Sequence, residues 1–396
     1  MKTHSQLPPS RVRRNRRAAF NPVRSLTPES LTRQLDSFHA GHLAEAARLW
    51  DVIEQRDDVV KAVSCKRKKS PGRFGWDIVA DDESAEALRH KAALEDFYAN
   101  IDVRHASDLN ERGGMALLLR QMMDAVGKRY AVHEIVWRPQ SSGDAQRLHA
   151  SFRFAPLWFF ENKTGELRFL PDESSREGQR LRDGEWLITT GDGLMEATSI
   201  AYLFKHLPLR DWLIYCERNG MPGVRGVTDA TPGTPEWDSA RDAVRDFGAE
   251  FHALMSRGTD IEPIDLSANG QLPYPQLVDR MDKAIATLWR GSSMGSIADG
   301  GAGITLQGKE TALIEREDIA HLSETLHTQV DRWITRHLFG EAPRARIVIR
   351  HKESGIAAEE LEGAREVLAE TLPKAIANLF KRLAFPDRFQ TLQDKA

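Results

Sequence analysis

Apolar positions recur at helical spacing through the first third of the chain, switch to alternation, and then return to helical spacing. The stretch "LTPESL" offers Thr27 as a helix N-cap, Pro28 at the first helical position and Ser30 in the first turn. Leu31, Leu35 and Phe38, then Leu43, Ala46, Leu49, Trp50 and Ile53, form two stripes broken by "HAGH", which predicts two short helices. From Ser84 to Gly127 the pattern stays helical, with Leu117, Leu118, Met122 and Val126 on one side.

"YAVHEIVWR" and "RLHASFRF" then read as strands. In the second, Leu148, Ala150, Phe152 and Phe154 alternate with His149, Ser151 and Arg153. "ELRFLPD" and "EWLITT" extend a mainly antiparallel sheet, since their connections are too short for helical crossovers.

Next, "ATSIAYLFKHLPLRDWLIYCERNGMPG" carries two helical stripes with Pro208 between them, where a kink or restart is expected, and Asn219, Gly220 and Pro222 stop it. Residues 223–270 read as a small α/β insert, with a helix over Ala240 to Leu254 and a strand at "DIEPIDL". A helix with Val278, Met281, Ile285 and Leu288 on one face follows. After a glycine-rich loop comes a long helix along Ile319, Leu322, Leu326, Val330 and Trp333. "RIVIRHKESG" and a helical tail close the chain.

The 396 residues, 41% hydrophobic and 29% charged, suffice for a sizeable core. Nothing approaches eighteen consecutive apolar residues, and the charged N-terminus lacks the apolar centre of a signal peptide, which points to a cytoplasmic protein with no membrane partner. Cys65 and Cys216 form neither a disulfide framework nor a metal-ligand spacing, and His39 with His42 has no third ligand nearby in sequence.

Net charge is only −3, but its distribution is uneven. An N-terminal arm carries Arg11, Arg13, Arg14, Arg16 and Arg17 with no acid before Glu29, and "CKRKKSPGRFGW" clusters Lys66, Arg67, Lys68 and Lys69. Each run is either a set of phosphate or subunit contacts or a solvated charged segment, the second ending a helix at a Pro-Gly turn.

Two motifs invite catalytic readings. "GITLQGKE" supplies Gly303, Gly308 and Lys309 of a phosphate loop, but Glu310 stands where a Mg²⁺-binding hydroxyl is required and no strand precedes it. "GSSMG" matches a hydrolase elbow with Ser293 as nucleophile and His321 and Asp318 as conceivable partners, yet a helix rather than a strand leads into it. No catalytic, cofactor or metal residue is therefore assigned.

The order of features resembles the portal proteins of Mu-like tailed phages and prophages. The resemblance rests on "FNPVRSLTPESL", "WDVIEQRDDVVKAVSCKRK" with "FGWDI", "YLFKHLPLRDWLIYCERNGMPGVRGV" and "ETLHTQVDRWI". It implies an α+β portal fold: a basic arm at 1–29, an α/β wing at 30–197, stem helices at 198–222 and 273–290, and a clip at 223–272. It further implies a channel loop at 291–308, a helix returning to the wing at 309–340, and a reduced crown at 341–396.

The channel loop would contain Gly291, Ser292, Ser293, Gly295, Gly300, Gly301 and Gly303. The resemblance also implies a non-enzymatic ring of probably twelve subunits at the capsid vertex, passing double-stranded DNA without reading its sequence. Its partners would be the terminase large subunit, the major capsid protein and head–tail adaptors, and its place the virion, after assembly in the host cytoplasm. A phosphate-loop NTPase and a non-portal virion scaffold or adaptor are the alternatives.

Overall fold

A computed structural model describes residues 23, 26–142, 145–171, 175, 177–220, 224–239, 241, 252–255, 273–291 and 300–350. Helix α1, Pro28–His39, begins where its cap chemistry dictates. The Thr27 hydroxyl accepts from the Ser30 N–H at 3.2 Å and the Ser30 hydroxyl from the Thr27 N–H at 2.8 Å, which satisfies two backbone amides. Its buried stripe meets α2, Ala44–Arg56, with the Phe38 and Trp50 rings edge to face at 4.7 Å. Helix α3, Asp58–Lys69, follows at once because the Asp57 carboxylate accepts from the Val60 N–H at 2.9 Å.

Strand β1, Gly75–Ala80, leads to α4, Ala85–Ala99, capped by Ser84. The chain does not stay helical from there to Gly127, contrary to the periodicity. It forms β2, Asp102–His105, and β3, Arg112–Gly113, before α5, Met115–Met122, and α6, Asp124–Lys128. The cause is long-range: β2 lies parallel to β5, Ala145–Ala155, with Asp102 opposite Ser151 and His105 opposite Phe154, and four residues are too few for a pattern to report that pairing.

Strand β5 also forms a long antiparallel hairpin with β4, Tyr130–Ser142. The core faces of β5 are as its alternation predicts, but Ser151 and Arg153 are buried too. Ser151 donates to Asp102 at 3.0 Å, and Arg153 approaches Glu134 at 3.6 Å.

"ELRFLPD" does not extend this sheet. It supplies only β7, Arg168–Phe169, in a separate three-stranded sheet between β6, Phe160–Glu161, and β8, Gln179–Arg180. Aromatic packing draws it there, with the Phe169 ring 5.7 Å from Phe160 and 5.4 Å from Trp186. Strand β9, Trp186–Thr190, does join the main sheet, whose order is β3-β2-β5-β4-β9.

Helix α7, Met195–Gly220, runs unbroken through Pro208, so the proline neither ends nor restarts it. Packing along α8, Pro273–Arg290, offsets the missing amide donor. Between these helices β10, Val224–Val227, pairs in parallel with β11, His252–Met255. Helix begins at 235, earlier than the periodicity suggested, because the Thr234 hydroxyl accepts from the Trp237 N–H at 3.3 Å. His252, Ala253 and Leu254, expected as helix, belong to β11, and "DIEPIDL" lies outside the described residues.

Helix α9, Gly300–Leu326, passes through a π turn at His327–Asp331 into α10, Arg332–Phe339, so the expected long helix is interrupted. The wide turn presents Asp331 inward, where it accepts from the Tyr98 hydroxyl at 2.6 Å and the Ile347 N–H at 3.0 Å. Burial and the Asp331 carboxylate push the Tyr98 phenol well above its usual range, so it stays a neutral donor. Within the same turn Gln329 donates to the Ile188 carbonyl at 2.7 Å and accepts from the Ile188 N–H at 2.9 Å, closing the edge of β9 as another strand would. Strand β12, Ala345–Arg350, pairs with β1, and the expected helical tail after it lies outside the described residues.

The chain divides into a main unit, Met1–Arg73 with Asp77–Ile349, and a second unit, Phe74–Trp76 with Arg350–Ala396. The described part of the second consists of Phe74, two residues at the start of β1 and the last residue of β12. Among the described residues no helix is long and apolar enough to cross a membrane.

Candidate functional site: the helix junction below the glycine loop

Helix α3 is gripped at both ends. In its last turn Arg67 donates from Nε to Asp318 Oδ2 at 2.9 Å and from Nη2 to Asp318 Oδ1 at 3.0 Å, a bidentate pair with a tenth of each side chain exposed. Arg67 Nη1 also donates to the Trp289 carbonyl at 3.3 Å, one of the acceptors that the end of α8 leaves without an intrahelical donor. Burial pushes the Asp318 carboxyl up, and Arg67 offsets only part of that. Ser70, just past α3, donates to Glu315 at 2.6 Å, so α3 holds α9 at two points on one face.

Trp289 is fully buried and its indole N–H donates to the Thr198 hydroxyl at 2.9 Å, joining α8 to α7. Gly127 makes room for it: a Cβ there would lie 3.0 Å from the Trp289 ring and 3.2 Å from Met195 Cγ. Gly291 ends α8 in the left-handed region, φ +73°, with its N–H donating to the Thr287 carbonyl at 2.8 Å. A Cβ on it would also stand 3.0 Å from Ile314 of α9. Helix α8 therefore ends at a fixed point beside α9.

Of the expected loop, Gly291 is the helix stop, and Ser292, Ser293 and Gly295 lie outside the described residues. Gly300, Gly301 and Gly303 belong to α9, so residues 300–308, expected as loop, are helix. Each glycine costs about 1 kcal/mol against alanine in a helix, but extending a helix already anchored at Glu315 and Asp318 avoids the cost of nucleation.

The same assignment removes the phosphate loop: amides from Gly303 to Lys309 serve a helix ladder and form no cradle for an anion. The conceivable triad fares likewise, because Asp318 pairs with Arg67, and His321 donates from Nε2 to the Thr190 carbonyl at 2.9 Å.

At the N-terminal end of α3, Lys205 of α7 reaches Asp57 and Asp58 at 3.0 Å each and Asp282 of α8 at 2.6 Å, with 5% of its side chain exposed. Burial alone would lower the Lys205 pKa, but its bonds to Asp282, Asp58 and Asp57 raise it, so it stays charged. Burial likewise pushes Asp57 up, yet hydrogen bonds from His206, the Val60 amide and Lys205 hold it at about 2. Lys205, Asp282 and Trp289 carry no motif. Their signal in sequence is only an apolar or charged residue on an amphipathic helix.

The basic run divides. Arg67 is committed to Asp318, and Lys68 bonds Glu54 and, at 2.6 Å, Asp124, so neither is a phosphate contact. Lys66 and Lys69 are exposed, and Arg11, Arg13, Arg14, Arg16 and Arg17 lie outside the described residues. Lys128 extends the internal network to Asp51 and, at 2.9 Å, Asp124. Burial pushes Asp124 up, but Lys128 and Lys68 bring it far below the usual carboxylate range, whereas Asp51 stays raised by burial. A cavity of about 550 Å³ opens here, lined among others by Asp51, His105, Glu111, Asp124 and Lys128. Its carboxylates are already answered, Glu111 by Arg120 and Gln121.

Among the described residues Glu86, His90 and Glu341 bring three metal-type ligand atoms within 4.8 Å of one another. His90 Nδ1, however, accepts from the Arg344 N–H at 3.1 Å, so the neutral ring keeps its proton on Nε2, the atom 3.5 Å from Glu341. A metal would need that nitrogen bare.

The family model described as the portal protein of Mu bacteriophage matches residues 47–386. No curated protein matches. Among solved structures, a chain from the neck of an empty gene transfer agent particle, computed with C6 symmetry, aligns at 11% identity and TM-score 0.47 over 85% of this chain and 88% of that one. A chain from the virion of a native gene transfer agent particle aligns at 11% identity and TM-score 0.46 with the same coverage. The family match runs through α3, both clamps, the α7–α8 pair and the loop between α8 and α9, and the chain belongs to the family of Mu bacteriophage portal proteins.

Proposed function

We propose that this chain forms a ring at the capsid vertex of a Mu-like phage or prophage, passes double-stranded DNA during packaging and ejection, and joins head to tail. The observation that supports it best is that α7 and α8 pack against each other and flank, along the chain, a small parallel β10–β11 unit, while α3 clamps both helices and α9. In this reading the residues up to 197 are arm and wing, α7 and α8 the stem, 223–272 the clip and 291–299 the channel loop. The segment beyond the π turn returns to the wing, and a reduced crown follows. Terminase, major capsid protein and head–tail adaptors are the partners, and the energy for translocation comes from the terminase, not from this chain.

A conduit for DNA of any sequence is served by weak phosphate contact, which a net charge of −3 and the internal use of Arg67 and Lys68 favour. Negative-stain imaging of the purified full chain tests the reading: closed rings with an axial hole, about twelve protomers round, are expected. Protomers or open filaments at every concentration and salt would overturn it. Saturable micromolar ATP binding abolished by Lys309→Ala would favour a nucleotide-dependent protein instead.

A further inference from the structure

The α7 helix bears a seam that the described residues leave exposed. Ile200, Phe204, Leu207, Asp211 and Ile214 follow one another at steps of four, three, four and three residues, the a/d spacing of a helix that packs lengthwise against another. Ile200, Phe204 and Ile214 are 40%, 50% and 41% exposed, although the opposite side of the same helix is buried through Tyr202 and Lys205. The seam is about 21 Å long, and it carries a single charge, Asp211, in an a-type position. Asp211 is exposed, and among the described residues it meets its neighbour Arg210 at 3.6 Å.

A second strip with the same spacing lies on α8. Leu277 and Ala284 are exposed and Met281 and Leu288 half-buried, at steps of four, three and four, with exposed Arg280 beside them. The two helices run antiparallel, with Trp289 level with Thr198 and Asp282 level with Lys205. On that scale Arg280 lies one turn from the level of Asp211.

We infer that these strips are the two halves of one interface, in which the α7 seam of one protomer packs against the α8 strip of the next copy, with Asp211 facing Arg280 across it. The inference rests on the ring reading and says which helix faces make the ring. Two different but complementary faces on one chain give a heterologous contact, the kind that closes rings rather than twofold dimers. The occupant is a second copy because apolar spacing and opposite charge match between two surfaces of this same chain. A single buried polar pair in such a seam sets register.

The test uses the full chain, with ring formation followed by light scattering and imaging over a concentration series. Phe204→Glu is expected to abolish rings while leaving a folded protomer, and Ile214→Ser, a milder change, to raise the assembly midpoint. Asp211→Arg and Arg280→Asp should each raise the midpoint roughly tenfold, and the double reversal should return it towards wild type. Rings that form normally in Phe204→Glu, or single reversals whose effects simply add in the double variant, would overturn the seam and leave the ring reading intact. A wild-type chain that never assembles would overturn both.

Discussion

The two halves of α7 live in different surroundings although one unbroken helix contains both. From Met195 to Lys205 the helix is pinned: Thr198 holds the Trp289 indole, Tyr202 and Leu203 are in the core, and Lys205 binds three carboxylates. Beyond Pro208 Leu213 and Ile214 face outward, 65% and 41% exposed. The charged cluster thus sits on the inner half, while the exposed apolar seam starts there at Ile200 and Phe204 and runs on to Ile214 in the outer half. A buried ion pair adds little net stability over an apolar packing of the same shape, but it punishes any other arrangement severely. Lys205 therefore specifies where α7 is attached.

The sharpest way to break that contrast is Lys205→Met. It leaves Asp57 and Asp282 without their cation, and about 3–5 kcal/mol of stability should be lost in chemical denaturation of the protomer. A loss below 1 kcal/mol would show that the pinned half is held by its apolar contacts instead.

Acid attacks the same cluster by another route. The Asp57 carboxyl is lowered from 3.8 to about 2, so its contribution, about 2 kcal/mol, is fully present above pH 4 and fades as pH falls through 2. Thermal unfolding between pH 5 and 2 should show that component vanish in Asp57→Asn while persisting in wild type.

Gly127→Ala tests the packing beside the cluster. Its Cβ would crowd Trp289 and Met195, and a loss of roughly 1–3 kcal/mol is expected, together with a change in tryptophan emission. The smallest effect belongs to the outer half, where Leu213→Ser should move protomer stability by less than about 0.5 kcal/mol, because 65% of Leu213 is already in solvent. A large loss there would mean that the two halves are one cooperative element.

Much of this was legible in the residues themselves. The Thr27 and Ser30 cap, the alternation along β5 and the stripe through Ile319, Leu322 and Leu326 are local patterns, and the structure places each of them as read. The basic run is legible only in part: Lys66 and Lys69 are exposed, but Arg67 and Lys68 are committed inside the protomer, and exposed and committed cations look alike until their carboxylates are located. Lys68 finds Asp124 56 residues away, and Arg67 finds Asp318 across 251. The glycines at 300, 301 and 303 were misread as loop for a related reason: propensity argues against helix there, but tertiary anchoring of α9 overrides it.

By itself the sequence determined what depends on neighbours along the chain: caps, stops, the period of each element and the order of elements. Tertiary structure alone decided the parallel strand β2, the π turn that turns Asp331 inward, the glutamine that closes the edge of β9, and the division of the charges into buried clamps and free surface. Local pattern arises from backbone geometry and burial averaged over a few residues. A partner for a single charge or amide is set by where distant segments meet, and no spacing within one segment encodes that distance.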